Sequence, residues 1–119
     1  MDHRKKELKL QYKLTKPDMG VFVIRSSRSP KCHVQAAGDL RAAVNGARAR
    51  LGGGLHPFRE LQKEWEEYGG ESFSFEILES LPYEEDESKT DYSEELALLQ
   101  MIWEERLTKE GRLFYRKRI

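Results

Sequence analysis

Side chains that can contact phosphate oxygens concentrate between residues 25 and 50 of the chain. They lie in a turn-like segment rich in serine and in the helical stretch that follows it. The basic members are Arg25, Arg28, Lys31, Arg41, Arg48 and Arg50. We expect these residues to be the candidates for nucleic-acid binding. An exposed turn and a solvated helix face are also polar for structural reasons alone, so both interpretations stay open.

His33 is the side chain in this region best suited to move a proton, because the unperturbed pKa of histidine is near 6.5. His56 precedes Pro57 and is placed to make an N-cap-like contact with a following helix. The spacing of these histidines, His3 and Cys32 does not match that of a metal site. No metal ligands and no cofactor are therefore predicted.

A hairpin and a helix must position these side chains. Residues 19–24 are β-branched and aromatic, residues 25–30 are turn-like, and residues 31–35 form a second strand-like run, which together predict a β-hairpin. Asp39 can cap a helix that ends at the glycines of residues 52–54. Its apolar positions fall at helical spacing at Leu40, Ala43, Val44, Ala47 and Leu51.

The second half of the chain predicts a helix, a strand and a late helix. Pro57 suits the first position of a helix that Gly69 ends. Residues 73–78 alternate as a third strand, with Phe73, Phe75 and Ile77 on one half-buried side. An acidic loop spans residues 82–90.

The late helix is predicted from residue 91, where a capping box begins. Its apolar positions, Leu96, Leu99, Trp103 and Leu107, are widened by Leu98 and Ile102. Such a broad face predicts packing on the sheet, or partly on another subunit.

This order of elements resembles the GIY-YIG nuclease domain, a small α/β unit with Gly-Ile-Tyr on one strand and Tyr-Ile-Gly on the next. Residues 20–22 (Gly-Val-Phe) stand at the first triplet, and residues 33–35 (His-Val-Gln) stand at the second. The first helix, residues 56–65, the third strand and the late helix follow in the family's order. The resemblance covers residues 19–108 and implies an α/β (α+β) fold, a three-stranded antiparallel sheet flanked by helices.

The resemblance also implies a chemistry that can be compared position by position. Members cut phosphodiester bonds with a tyrosine from each triplet, an arginine on the following helix and a metal-binding glutamate on the late helix. The corresponding positions here are Phe22, His33, Ala43 and, at or near it, Leu99. Hydrolysis needs a base and a cation or metal to stabilise developing charge. His33 alone does not rebuild such a site, so the resemblance implies a catalytically degenerate domain.

Two alternatives to a silent binding or regulatory module stay open. Arg41, Asn45 and Arg48 share the first helix, and Glu95 lies one turn before Leu99, so other residues can form a rearranged, metal-dependent endonuclease site. The other alternative is a protein-interaction or dimeric structural protein that binds no nucleic acid. The substitutions go to residues that only fill volume, which favours a non-enzymatic module with weak, sequence-tolerant binding of DNA or RNA. A divalent metal is expected only for the nuclease alternative.

Length and composition suit one domain of 119 residues. We divide it into an N-terminal extension of residues 1–18, predicted to be helical, a core of residues 19–108 and a tail of residues 109–119. No apolar stretch approaches the ~20 residues of a membrane span, and the first residues lack the apolar centre of a signal peptide. One cysteine excludes an internal disulfide. We expect a soluble, cytoplasmic protein.

The net charge is zero, but the charges are unevenly distributed. Residues 1–59 carry 13 basic and 4 acidic side chains, whereas residues 60–119 carry 8 and 17. This asymmetry suits a basic face for nucleic acid, a self-complementary dimer, or a pattern that folding disperses.

Overall fold

A four-stranded sheet with the order β3-β1-β2-β4 forms the centre of the protein. The computed structural model describes residues 16–116. β1 (Met19–Ser26) and β2 (Lys31–Ala37) form the predicted hairpin, and β3 (Phe73–Leu81) pairs antiparallel with β1. β4 (Leu113–Phe114) pairs parallel with β2. The predicted three-stranded antiparallel layer is confirmed, and the sheet has one short strand more than the sequence predicts.

Helices cover both faces of this sheet. α1 (Leu40–Gly52) and α2 (Arg59–Tyr68) lie on one face, and α3 (Ser93–Lys109) lies on the other. Because side chains alternate along a strand, Phe22 and Ile24 pack against α1 and α2, whereas Val21 and Val23 pack against α3. All four are fully buried, which explains the continuous apolar run of β1.

The predicted helix-start signals are met at α1 but not at α2 or α3. The capping box predicted from Asp91 does not form, because Tyr92 is the N-cap of α3 and makes no side-chain cap hydrogen bond, while the Asp91 carboxylate accepts from the backbone N–H of Ser93 at 2.9 Å.

The Asp39 carboxylate accepts a hydrogen bond from the backbone N–H of Ala42 at 3.1 Å and so caps α1 as predicted. The prediction that α2 begins at Pro57 is wrong, because Phe58 is still extended (φ −85°, ψ 96°) and the helix begins at Arg59. Gly69 ends α2 with a φ of 84°, a conformation that glycine adopts at little cost.

Three apolar side chains on the predicted core-facing sides of β3 and α3 are exposed. Ile77 on β3 is 57% exposed, and Leu98 and Ile102 on α3 are 58% and 38% exposed. A helix buries only the side chains that face its neighbour, and the sheet covers α3 through Leu99 and Leu107. The predicted wide apolar face of α3 is therefore only partly used within residues 16–116.

The two ends of the chain differ in what the structure describes. The predicted N-terminal helix lies outside the described residues, as do residues 117–119. Within the predicted tail, Leu113–Phe114 form β4, and Tyr115 is buried and donates its hydroxyl hydrogen bond to the Glu64 carboxylate at 2.9 Å. A strand of two residues has no periodicity that a sequence could reveal. No helix in the described part of the chain is long and apolar enough to cross a membrane.

Candidate functional site

A cleft of about 350 Å³ lies beside β2, at the point where β4 stops. β4 pairs only with Lys31 and Cys32, so the next residues of β2 have no strand beyond them. The side chain of Gln100, on α3, partly covers this free edge, because its Oε1 accepts a hydrogen bond from the backbone N–H of Ala36 at 3.0 Å. The cleft is lined by His33, Val34, Gln35, Arg50, His56, Pro57, Phe58, Gln100, Glu104, Phe114 and Tyr115.

Two histidines and a phenylalanine form the wall of the cleft. The rings of His33 and His56 meet edge to face, with their centroids 5.5 Å apart. The Phe58 ring lies 4.3 Å from the His33 ring and 5.9 Å from the His56 ring, measured between centroids. Both histidines are more than nine-tenths buried, so their ring nitrogens are largely removed from bulk water.

The loop between α1 and α2 holds His56 in this position. Nδ1 of His56 accepts a hydrogen bond from the backbone N–H of Phe58 at 3.1 Å. This bond lies in the loop before α2, whose N-cap has no side-chain hydrogen bond, so His56 does not cap the helix as the sequence predicts. The buried amide of Gln62 accepts from the backbone N–H of His56 at 3.0 Å and donates to the carbonyl oxygen of Leu51 at 2.8 Å. Gln62 thereby ties the loop to the end of α1 and satisfies two buried backbone groups.

Burial keeps both histidines neutral at neutral pH. It lowers the pKa of His56 to about 4, with smaller contributions from His33 and the positive charge of Arg50. Burial also lowers the pKa of His33, against the opposing effect of its hydrogen bond to Gln35. Because Nδ1 of His56 accepts a hydrogen bond, its Nε2 carries the proton and is a donor. The pair can therefore exchange hydrogen bonds with a ligand but adds no positive charge.

Of the four positions that the family resemblance singled out, only His33 lines the cleft. Phe22 is completely buried, and Ala43 packs against the same cluster beneath α1. Leu99 packs on the opposite face of the sheet with Val21 and Val23. The structure therefore does not bring these four residues together in one site.

The charged groups of the cleft are Arg50 and Glu104, not those that the sequence offered as replacements. Arg41 and Asn45 line a different groove, and Glu95 lies 2.6 Å from the ammonium nitrogen of Lys89. Glu104 is the only carboxylate among the described residues that line the cleft. Mg²⁺ prefers several oxygen ligands, and residues 16–116 contain no group of three or more His, Cys, Asp or Glu able to hold a metal ion. This set of donors does not fit a divalent metal.

The six basic candidates do not form one surface. Arg25 lies 3.6 Å from the Glu76 carboxylate, and Lys31 lies 3.0 Å from that of Glu60, which lowers the pKa of Glu60. Arg28 is exposed in the hairpin turn. This turn lies at the opposite end of β1 and β2 from the start of α1.

Arg41 and Arg48 lie on the edge of α1 that faces β3, and Arg50 lies on the other edge, beside the cleft. A groove of about 510 Å³ separates the first turns of α1 from β3. Its floor includes Phe75 and Ile77, and the guanidinium of Arg48 stacks 4.6 Å from the centre of the Phe75 ring. No ion pair in residues 16–116 involves these three arginines.

The sequence did not identify His56 and Gln62 as parts of one site with His33. The position of His56 before Pro57 predicted a contact with the start of α2, although its hydrogen bond lies in the loop before the helix. Its contact with His33 depends on how the loop folds back over β2, for which the sequence contains no local signal. Gln62 is a polar residue next to the apolar Leu61, and this pattern predicts that Gln62 lies on a solvated helix face. In the structure both side chains are buried.

Comparison with solved structures identifies the fold. The chain is similar to the catalytic domain of the homing endonuclease I-TevI, with a TM-score of 0.63 and 24% sequence identity over 82% of this chain and 96% of that one. A glutamate-to-alanine variant of the I-TevI catalytic domain gives a TM-score of 0.65 and 22% identity over 83% of this chain and 92% of that one. No protein-family model and no curated protein matches the sequence. The protein therefore has the fold of a GIY-YIG nuclease catalytic domain. Because the sequence identity is low, the similarity supports a shared fold only.

Proposed function

We propose that this domain binds nucleic acid in the groove between α1 and β3 and does not cleave it. The observation that carries the proposal is the groove between α1 and β3. Arg41 lines it, and Arg48 stacks on Phe75 at its edge; neither arginine forms an ion pair within residues 16–116. The lining also contains Lys16 and the carboxylates of Asp18 and Asp39, while Phe75 and Ile77 offer an apolar floor. Arginines that contact phosphates beside an aromatic surface are a common way to bind nucleic acid without reading its sequence.

The surroundings of the family's catalytic positions support the absence of cleavage. Phe22 has no oxygen and is sealed in the core, Ala43 supplies only a methyl group, and Leu99 faces away from the cleft. The remaining histidine, His33, is neutral and can accept a proton, but the donors around it do not fit the metal that would stabilise developing charge. We infer a pseudoenzyme whose scaffold serves binding.

Nucleic-acid binding is tested by a gel-shift assay with a duplex and a single strand at several salt concentrations. We expect weak, sequence-tolerant binding that falls with salt, with a slope of about −0.9 per phosphate contacted on duplex DNA. The double variant Arg41→Ala/Arg48→Ala is expected to bind at least about tenfold more weakly and to lose about two units of that slope, because two phosphate contacts are removed.

Arg106→Ala removes one positive charge and is the matched control for Arg41→Ala alone, which is expected to weaken binding about threefold. Arg106 stacks on Trp103 of α3, on the opposite face of the sheet, so its loss should leave binding within about twofold. No shift of either probe at low salt would remove the proposal. An equal loss in the control would show that binding follows total charge instead of the groove.

The second candidate function is cleavage by a rearranged site. It is favoured by the convergence of His33, His56, Arg50 and Glu104 in one cleft. DNA and RNA are incubated with purified protein and Mg²⁺ or Mn²⁺, beside a His33→Ala variant. We expect no cleavage above the level of that variant, since the cleft lacks a fitting metal site. Cleavage by the wild type that disappears in His33→Ala would establish the nuclease instead.

A further inference from the structure

One residue of β2 leaves its backbone hydrogen-bonding groups unused in the floor of the cleft. The carbonyl oxygen of Cys32 accepts a hydrogen bond from the backbone N–H of Tyr115 at 3.0 Å, and the N–H of Ala36 donates to Gln100. Because backbone groups alternate between the two sides of a strand, the N–H and C=O of Val34 point to the same edge. Neither group has a partner there within residues 16–116, although Val34 is only 5% exposed.

His56 adds a second hydrogen-bond donor to the cleft. Its Nδ1 accepts from the backbone N–H of Phe58, so Nε2 carries the proton, and this N–H donates to no group in the described part of the chain. His56 is 3% exposed. Folded proteins pair nearly all buried polar groups with protein, water or a ligand. Two segments that are distant in sequence therefore leave buried donors and an acceptor available in the same cleft.

The free edge of β2 is too short to receive another strand. Tyr115 occupies it at Cys32, and Gln100 occupies it at Ala36, so only the groups of Val34 are left. An extended peptide would pair through several residues in succession. One donor beside one acceptor instead matches a planar ring whose own acceptor adjoins a donor. Every nucleobase has such an edge, for example the ring nitrogen and amino group of adenine or cytosine that pair in a duplex.

We propose that the cleft binds a nucleobase, with its pairing edge on the backbone of Val34 and its ring against Phe58. The Phe58 ring is half-buried beside His33 and offers an aromatic surface next to this edge. The volume of about 350 Å³ lies in the range of small-molecule sites, and Arg50 is exposed at the rim, where a nucleotide phosphate would leave the cleft. The cleft and the groove between α1 and β3 border opposite edges of α1, so this site does not depend on the proposed function.

Nucleoside monophosphates are the probes for the first test. AMP, CMP, GMP and UMP are each titrated to about 10 mM into ¹⁵N-labelled protein, and NMR follows the amide of Val34 and the ring nitrogens of His56. At least one of them is expected to shift these resonances with a dissociation constant of about 1 mM, because a single stacked base makes few contacts. Ribose 5-phosphate has the same sugar and phosphate without a base and should cause no shift. The proposal is overturned if no monophosphate shifts them, or if ribose 5-phosphate shifts them equally.

Replacing Phe58 with leucine removes the stacking surface but keeps an apolar side chain beside His33. Phe58→Leu is expected to raise the dissociation constant of the monophosphate at least about fivefold. Tyr68→Leu is the matched control, because Tyr68 is 37% exposed at the other end of α2 and its ring lies outside the cleft. The control should stay within about twofold of the wild type. NMR reads the folded protein directly, so a small loss of stability does not hide the result. Equal dissociation constants for the two variants would contradict the proposal.

A gel-shift assay distinguishes the two sources of a nucleobase, a free nucleotide and an unpaired base of a strand. The bases of a duplex are paired and stacked, so Phe58→Leu should bind a duplex as the wild type does. A loss of at least about threefold that is confined to the single strand identifies an unpaired base as the ligand. Wild-type affinity for both probes, together with monophosphate binding, identifies a free nucleotide. Arg41→Ala/Arg48→Ala weakens both probes, so a failure of the groove is distinguished from a failure of the cleft.

Discussion

Replacing Gly20 with alanine is expected to lower the free energy of unfolding by about 3 kcal/mol or more. A Cβ at this position would overlap the carbonyl oxygen of Glu79 and lie 2.8 Å from the Cα of Ser80. Both neighbours are backbone atoms of β3, paired with β1 at this point. They can move away only if the two strands separate locally, which would disturb the strand buried on both faces. Since small domains are stable by only about 5–15 kcal/mol, the loss is severe.

Gly38→Ala is the matched control for this substitution. No atom lies within 4 Å of the position that its Cβ would take, so its unfolding free energy should change by no more than about 0.5 kcal/mol. Urea unfolding followed by circular dichroism measures both variants. If Gly20→Ala unfolds at the same urea concentration as Gly38→Ala, the close approach of β3 does not restrict this position. The expected result would show that the close packing of β1 on β3, and not a catalytic role, requires a glycine at the first position of the first triplet.

The protein is expected to lose about 2 kcal/mol of stability between pH 7 and pH 5 because of His56 alone. Its pKa is about 4 in the folded state, against an ordinary value of 6.5 when the chain is unfolded. Between these values the unfolded chain binds a proton that the folded protein does not, so the free energy of unfolding falls as the pH falls through this window. The lowered pKa of His33 adds a loss in the same direction.

His56→Asn separates this effect from other titrations. The asparagine side-chain oxygen can replace Nδ1 as the acceptor for the Phe58 N–H, but it does not titrate. Urea unfolding at several pH values between 7 and 5, above the range in which most carboxylates titrate, should show a flatter dependence for the variant than for the wild type. Slopes, not absolute stabilities, are compared, because the loss of the ring also costs packing. Parallel slopes would mean that the pKa of His56 is the same in the folded and the unfolded protein.

Patterns over a few neighbouring residues were sufficient to predict most elements of the fold. The β-branched run of β1, the hairpin turn, the Asp39 cap and the alternation of β3 each depend on local sequence, and all four features are present in the structure. The turn is shorter than the predicted residues 25–30, because β1 continues through Ser26. Their order also revealed the resemblance that the structural comparison supports. β4 was not predicted, because a strand of two residues is too short to show a periodic pattern.

The candidate site was predictable only in part. His33 lines the cleft, but Phe22, Ala43 and Leu99 do not. One residue along a helix is a rotation of 100°, so an uncertainty of one position separates Leu99 in the core from Gln100 beside the cleft. Arg41 and Arg50 likewise share a helix but border different depressions of the surface.

The sequence by itself determined where strands and helices form and which chemical groups the family's positions contain, because periodicity and residue type are local properties. Only the tertiary structure decided that His56 meets His33, that Arg50 and Glu104 share their cleft, and that Leu98 and Met101 stay uncovered. These outcomes depend on how separate elements pack together, and small differences in helix rotation and loop path decide which side chains meet.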